Sequence, residues 1–314
     1  MKLRALRPIH TLLAAGMILL VAVPASASLF VSSDVFDVVG EYDPITGNHL
    51  GPFVSSVNAA GQLGVKLNAA GDRMLVGSFQ GGVDEFDAIT GNYIKTYNPG
   101  PSVGTQWAGL YAPTGGVYVT SWITNDVREY DAVTGAFIRV VTPVMMPSDM
   151  RIGPNGNLYI GSYGGGYVLE VDAVSGAFVN QFFQNPGSRT NDIDFLPNGN
   201  PLVTAGGMPS LVYHYDTSYN LLNTFAGTGW GPHVHGIEVS PFDGNIYVVD
   251  GITAQVHVFD PVTFVEMDSA FLNPHPGGKI VDLAFRIPEP ATLGLMLPAL
   301  LLLRRRRATA AYGR

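Results

Sequence analysis

The chain has 314 residues, 46% hydrophobic and only 13% charged, with a formal net charge of −8. It has no cysteine, which excludes a disulfide framework, a thiolate zinc site and a cysteine nucleophile. Its 38 glycines and 22 prolines follow no three-residue period, which excludes collagen and suits many short strands joined by tight turns.

The first segment reads as a secretory signal peptide over residues 1–27. Lys2, Arg4 and Arg7 precede an apolar run from Leu12 to Val23, followed by Pro24 and Ala25-Ser26-Ala27. Small residues at Ala25 and Ala27 suit signal peptidase, so cleavage is expected before Ser28.

Residues 28–287 then repeat a phrase. Glu41-Tyr42-Asp43-Pro44-Ile45-Thr46-Gly47 recurs as Glu85 to Gly91, Glu129 to Gly135 and Glu170 to Gly176, with weaker copies around Asp216 and Asp260. The aspartates at 43, 87, 131, 172, 216 and 260 are spaced by 44, 44, 41, 44 and 44 residues. Such a period marks a repeat architecture. Within a period, alternating apolar residues and turn signals predict four strands, and four-stranded units around a channel make a β-propeller. In the last copy the strands are Gly236–Ser240, Asn245–Asp250, Gln255–Asp260 and Phe264–Phe271. Leu29 to Val31 reads as a second strand without a first, and Ile280 to Arg286 as a first strand without a second. Pairing these two closes a ring of six blades and removes sheet edges. The repeated aspartates read as turn formers, their carboxylates accepting backbone N–H groups.

His235-Gly236-Ile237-Glu238-Val239-Ser240-Pro241, Gly244 to Asp250 and Val256 to Asp260 resemble the NHL-repeat and related six-bladed families. That resemblance implies a propeller whose relatives include binding scaffolds, calcium lactonases and lyases.

Function on such a fold is expected on the face carrying the long, variable loops. Trp107, Trp122 and Trp230 lie in or beside these loops and are candidates for stacking on sugar rings. Aligning the first strands on Pro154, Pro197 and Pro241 places Asp149, Asp192 and Gly236 at one position, with Leu63, Ala108 and Asp282 in the other blades. Converging carboxylates invite a hard cation, here Ca²⁺, in the manner of the gluconolactonase-like propellers that the chain resembles. Asn191, His235 and Trp107 stand one residue earlier. His233 and His235, with His275 in the next blade's loop, are candidates for a zinc site or a general base, and Asn191 is a further catalytic candidate.

The last segment, 288–314, carries Pro288-Glu289-Pro290, an apolar run from Ala291 to Leu303 and the cluster Arg304, Arg305, Arg306 and Arg307. Thirteen residues rise about 20 Å as a helix. The arginines act as a stop-transfer signal on the cytoplasmic side. This tail resembles the PEP-CTERM sorting signal of exported Gram-negative bacterial proteins. The resemblance implies a transient inner-membrane anchor, exosortase processing near the Pro-Glu-Pro motif, and release toward the cell surface or extracellular matrix.

Between the two signals, 9 Lys and Arg stand against 24 Asp and Glu, a net charge of −15. This acidity argues against a nucleic-acid partner. The leading expectation is an exported propeller binding a polysaccharide or an envelope protein. The alternative is a metal-dependent hydrolase or lyase, lactonase-like, with Ca²⁺ or Zn²⁺ at the channel mouth.

Overall fold

The computed structural model describes residues 27–34, 37–55, 61–79, 81–97, 107–184, 189–272 and 278–287. Ala25, His275 and the tail from Pro288 to Arg307 lie outside them. The described residues contain 24 strands and no helix.

The strands form six antiparallel four-stranded sheets. Blade 1 holds β1 (Ser28–Ser33), β2 (Val38–Tyr42) and β3 (His49–Ser55). Blade 2 is β4 (Gln62–Leu67), β5 (Arg73–Ser78), β6 (Val83–Asp87) and β7 (Tyr93–Tyr97). Blade 3 is β8 (Gly109–Tyr111), β9 (Val117–Ser121), β10 (Asp126–Tyr130) and β11 (Phe137–Pro143). Blade 4 is β12 (Pro147–Ile152), β13 (Leu158–Ser162), β14 (Tyr167–Val171) and β15 (Phe178–Gln184). Blade 5 is β16 (Arg189–Phe195), β17 (Pro201–Gly206), β18 (Leu211–Tyr215) and β19 (Leu221–Phe225). Blade 6 is β20 (Val234–Val239), β21 (Ile246–Asp250), β22 (Gln255–Phe259) and β23 (Glu266–Asp268). The last strand, β24 (Ile280–Arg286), pairs with β1 and becomes the inner strand of blade 1. The ring closes by joining the two ends of the repeat region, as the strand pattern predicts.

The core lies between the blades. Strands β9, β13 and β21 are buried along their whole length because both sheet faces meet a neighbouring blade. One cluster joins Phe30 and Val39 of blade 1 to Val65, Met74 and Phe86 of blade 2. Another joins Leu202 and Val212 of blade 5 to Ile237 and Phe259 of blade 6. Outer strands meet solvent, and β19 exposes four of its five residues. In blade 6 the outer strand is only Glu266–Asp268, shorter than the predicted Phe264–Phe271.

The repeated aspartates form the turns between third and fourth strands. Asp43 Oδ1 accepts the amides of Ile45 (3.0 Å) and Thr46 (2.7 Å) and the Thr46 hydroxyl (2.9 Å). Asp87, Asp131, Asp172 and Asp260 repeat this pattern. Four blades end the turn with a glycine at positive φ, whereas blades 5 and 6 put Tyr219 (φ 65°) and Phe264 (φ 57°) there. Both rings reach the preceding blade. Tyr219 stacks on Phe182 and donates to Glu170, and Phe264 packs on Phe225. At three of the four glycines the preceding blade is too close for a side chain: a Cβ would lie 1.8 Å from the Phe271 carbonyl oxygen on Gly47, 2.6 Å from that of Phe53 on Gly91 and 2.2 Å from that of Val141 on Gly176.

Candidate functional site

The inner strands β24, β4, β8, β12, β16 and β20 follow one another around the central channel. Register shifts near the start of β4, β12, β16 and β20 each insert an extra residue, and the β24–β1 pair shifts likewise. Bulges of this kind re-aim side chains, and here they build the channel lining. The first bulge residue gives an upper layer, Leu63, Ser148, Asn191, His235 and Val281, and the second a middle layer, Gly64, Asp149, Asp192, Gly236 and Asp282; in blade 3, Trp107 and Ala108 stand at the equivalent places just before β8. Register therefore puts Gly64, not the expected Leu63, level with the aspartates. The turn of blade 2, Asn68-Ala69-Ala70-Gly71, lacks the proline on which the sequence alignment rests, which shifts the reading by one residue.

The three aspartates do converge. One carboxylate oxygen from each of Asp149, Asp192 and Asp282 lies within 4.8 Å of the others, and all three residues are buried. Gly236, between Asp192 and Asp282 in the ring, leaves them room: a Cβ there would lie 2.5 Å from Asp282 Oδ1. Into this space comes the side chain of Lys66, two residues beyond Gly64 on β4 and pointing to the same face. Its Nζ lies 2.9 Å from Asp149 Oδ2, 3.0 Å from Asp282 Oδ2 and 3.8 Å from Asp192 Oδ2. An ammonium of this chain thus stands where the converging carboxylates call for a cation.

The protonation of this cluster follows from its burial. Burial opposes the charged Lys66, but the three aspartates outweigh it and raise its pKa further. Burial, with Asp149 nearby, pushes Asp192 well up. Burial raises Asp282 to about 7, against the pull of Lys66. Three carboxylates and one ammonium carry excess negative charge, and holding protons is how a buried acid cluster relieves it. Asp282 Oδ1 has no hydrogen-bond partner and is free to carry one.

Two residues further along each strand lies a lower layer: Lys66, Leu110, Arg151, Asp194, Glu238 and Ala284. Arg151 bonds Glu238 through both terminal nitrogens and reaches Asp194 Oδ1 at 3.3 Å. A cavity of about 220 Å³ opens beside this layer, lined in part by Leu110, Arg151, Glu238 and Ile287.

The upper layer closes the channel on the variable-loop face. Trp107 is buried (5% exposed) and its ring faces His235 from the opposite blade at 5.8 Å. Trp122 stacks on Trp107 at 5.2 Å and 17°, and Tyr163 lies 4.8 Å from Trp122. The Trp122 indole N–H donates to the Pro147 carbonyl (2.8 Å), fixing the ring, while both Trp122 and Tyr163 stay partly exposed. The Arg189 guanidinium lies over the Tyr163 ring at 5.1 Å. His233 and His235 are stacked 5.9 Å apart. Burial, then His233, and more weakly Lys279 and Arg189, hold His235 down to about 3 against Asp250, so its ring is neutral. His235 Nδ1 and Asn191 Oδ1 are buried without a partner, while Asn191 Nδ2 donates to the Val234 carbonyl.

The structure thus gathers Trp107, Trp122, His233, His235 and Asn191 at one mouth, with the three aspartates below. Trp230 stands apart, packed edge-on against His257 (5.5 Å) and Phe259 (5.7 Å) in blade 6. Sequence reading missed Lys66, Tyr163, Arg189 and Lys279. A signal for Tyr163 was present, since Ser78-Phe79, Ser121-Trp122 and Ser162-Tyr163 occupy the same place after a second strand. Lys66 carried a weaker one: a lone cation inside an inner strand, at the position where other blades put Arg151, Asp194 and Glu238.

Known structures share this architecture. The chain is similar to a chain of the nidogen/laminin complex, with a TM-score of 0.68 and 12% identity over 83% of this chain and 99% of that one. It is similar to a protein of unknown function from Bacteroides caccae (TM-score 0.61, 14% identity, 84% and 99% covered). It is also similar to a catalytically inactive His-to-Ala variant of virginiamycin B lyase from Staphylococcus aureus with quinupristin (TM-score 0.60, 10% identity, 83% and 92% covered). No protein-family model and no curated protein matches the sequence. At these identities the likeness establishes the fold alone, and a fold shared by a component of a protein complex and a lyase does not choose between binding and catalysis.

Proposed function

We propose that this chain is an exported binding propeller that takes a polysaccharide at the variable-loop face. The observation that carries this reading is the aromatic group at the channel mouth. Trp122 and Tyr163 stay partly exposed on a base formed by Trp107, next to the unpartnered polar atoms of His235 and Asn191. Aromatic faces bind the C–H faces of sugar rings, and polar atoms beside them select orientation. The alternative, a metal-dependent lyase, is weakened because Lys66 already supplies positive charge to the aspartate trio.

Delivery fits the same reading. Signal peptidase would free Ser28, and an exosortase would act at Pro288-Glu289-Pro290 after transient anchoring by residues 291–303. The body would then reach the periplasm, cell surface or extracellular matrix of a Gram-negative bacterium.

The test is a panel of oligosaccharides titrated into the purified chain, read by tryptophan fluorescence and calorimetry. Binding that falls at least about tenfold in Trp122→Ala and Tyr163→Ala supports the reading. A bound glycan indifferent to both substitutions removes it. For delivery, replacing Pro288-Glu289-Pro290 by alanines is expected to leave the chain in the inner membrane; unchanged release rejects that route.

A further inference from the structure

The cations of this acidic body are distributed unevenly. Residues 28–287 contain nine Lys and Arg, all of them described. Seven have a carboxylate within 4 Å. Among the described residues, Arg189 and Lys279 have none. Both are exposed, and both flank the same mouth, close enough to act on His233 and His235. Arg189 rests on Tyr163 at 5.1 Å, so a cation and an aromatic face form one surface. Elsewhere the chain pairs its positive charges with its abundant acids. Lys279 shares its charge with Asp34 beyond ion-pair distance, whereas Arg189 has no acid beside it among the described residues; a cation left so, on the face with the exposed aromatics, is what an anionic ligand would need.

We propose that the mouth takes an acidic saccharide, a uronate whose ring lies on Trp122 and Tyr163 while its carboxylate is held by Arg189 and Lys279. This rests on the polysaccharide reading above and names its substrate class. The guanidinium fork matches a carboxylate with two parallel hydrogen bonds, and lysine adds a point charge. A polyphosphate shares the negative charge, but its denser charge meets stronger repulsion from a body of net charge −15.

The experiment titrates trigalacturonate, maltotriose and a short oligothymidylate into the purified full-length chain in detergent, at low and high salt. Trigalacturonate is expected to bind roughly tenfold or more tightly than maltotriose, weaken with salt, and lose about tenfold in Arg189→Ala and in Lys279→Ala. Both side chains are exposed, so each variant is an independent check, and the salt series on the unmodified chain needs neither. Maltotriose binding as well as or better than trigalacturonate overturns the uronate assignment and leaves the glycan surface standing. Oligothymidylate binding as tightly as trigalacturonate also overturns it. Binding by neither sugar in a wider panel overturns both readings.

Discussion

Lys66 Nζ lies 2.9 Å from Asp149 Oδ2, joining blade 2 to blade 4 across the channel. With Asp282 at 3.0 Å, the same ammonium also ties in blade 1, so one buried side chain cross-braces the ring. Removing one member of a buried ion pair leaves the others uncompensated and costs about 3–5 kcal/mol. Lys66→Met keeps the stem and deletes the charge. It is expected to lose stability of that order in urea unfolding. Millimolar Ca²⁺ should then raise the melting temperature of the variant more than that of the unmodified chain, because the carboxylates regain a cation. A variant of unchanged stability would show that the ammonium is not holding the ring.

The cluster and the histidine above it impose opposite pH slopes. Asp282 is raised to about 7, so the folded state holds a proton that the unfolded chain has released. That stabilisation is complete below the ordinary carboxylate range and is lost as pH rises through about 7. His235 is lowered to about 3, so the unfolded chain binds a proton first, and stability falls as pH drops from 6.5 toward 3. Between about pH 4 and 6.5 the two oppose each other. Asp282→Asn is expected to make the fall of stability with pH in this window shallower, since Asp192 still holds its raised proton, and His235→Asn to make it steeper, both read from melting temperatures.

Trp107 and Trp122 touch, yet their substitutions should differ. Trp107 is buried among Leu63, Ala108 and Val281, so Trp107→Ala opens a cavity and costs about 3–5 kcal/mol. Trp122 is partly exposed, and Trp122→Ala should cost about half as much while removing more ligand affinity. Urea unfolding and glycan titration on the same samples separate the two effects.

Ring closure depends on Arg286 at the end of β24. It is buried, donates to Ser28 Oγ (2.7 Å), Glu41 Oε1 (3.1 Å) and the Ala88 carbonyl, and lies over the Phe30 ring at 5.0 Å. Arg286→Met is expected to cost about 3 kcal/mol, because Glu41 keeps the Ser28 hydroxyl but loses its cation. Hydrogen exchange should then speed up together in β1 and β24, the strands joining the two ends. Acceleration spread evenly over all six blades would contradict this.

The architecture was legible because its causes are local and repeated. Each repeated aspartate builds its turn by hydrogen bonds within four residues, so it marks the turn by itself, and six such aspartates count six blades. The unpaired strands at Leu29–Val31 and Ile280–Arg286 foretold the closure because an unpaired edge demands a partner. The convergence of Asp149, Asp192 and Asp282 was also readable, since equivalent positions in a ring point to one axis.

Only the tertiary structure decided what fills and covers that axis. The turn of blade 2 is one residue longer than that of blade 4, which puts Gly64 in the aspartate layer and lets Lys66 reach back across the channel. Which tryptophans meet depends on neighbouring blades, so Trp107 and Trp122 join Tyr163 while Trp230 packs elsewhere. That Arg189 and Lys279 lack a carboxylate within 4 Å among the described residues emerges only when the other seven cations of residues 28–287 are seen beside their acids. Local hydrogen bonds and periodicity determine the blade from the sequence, whereas the channel mouth is assembled from residues tens to hundreds of positions apart, whose meeting depends on how the blades pack.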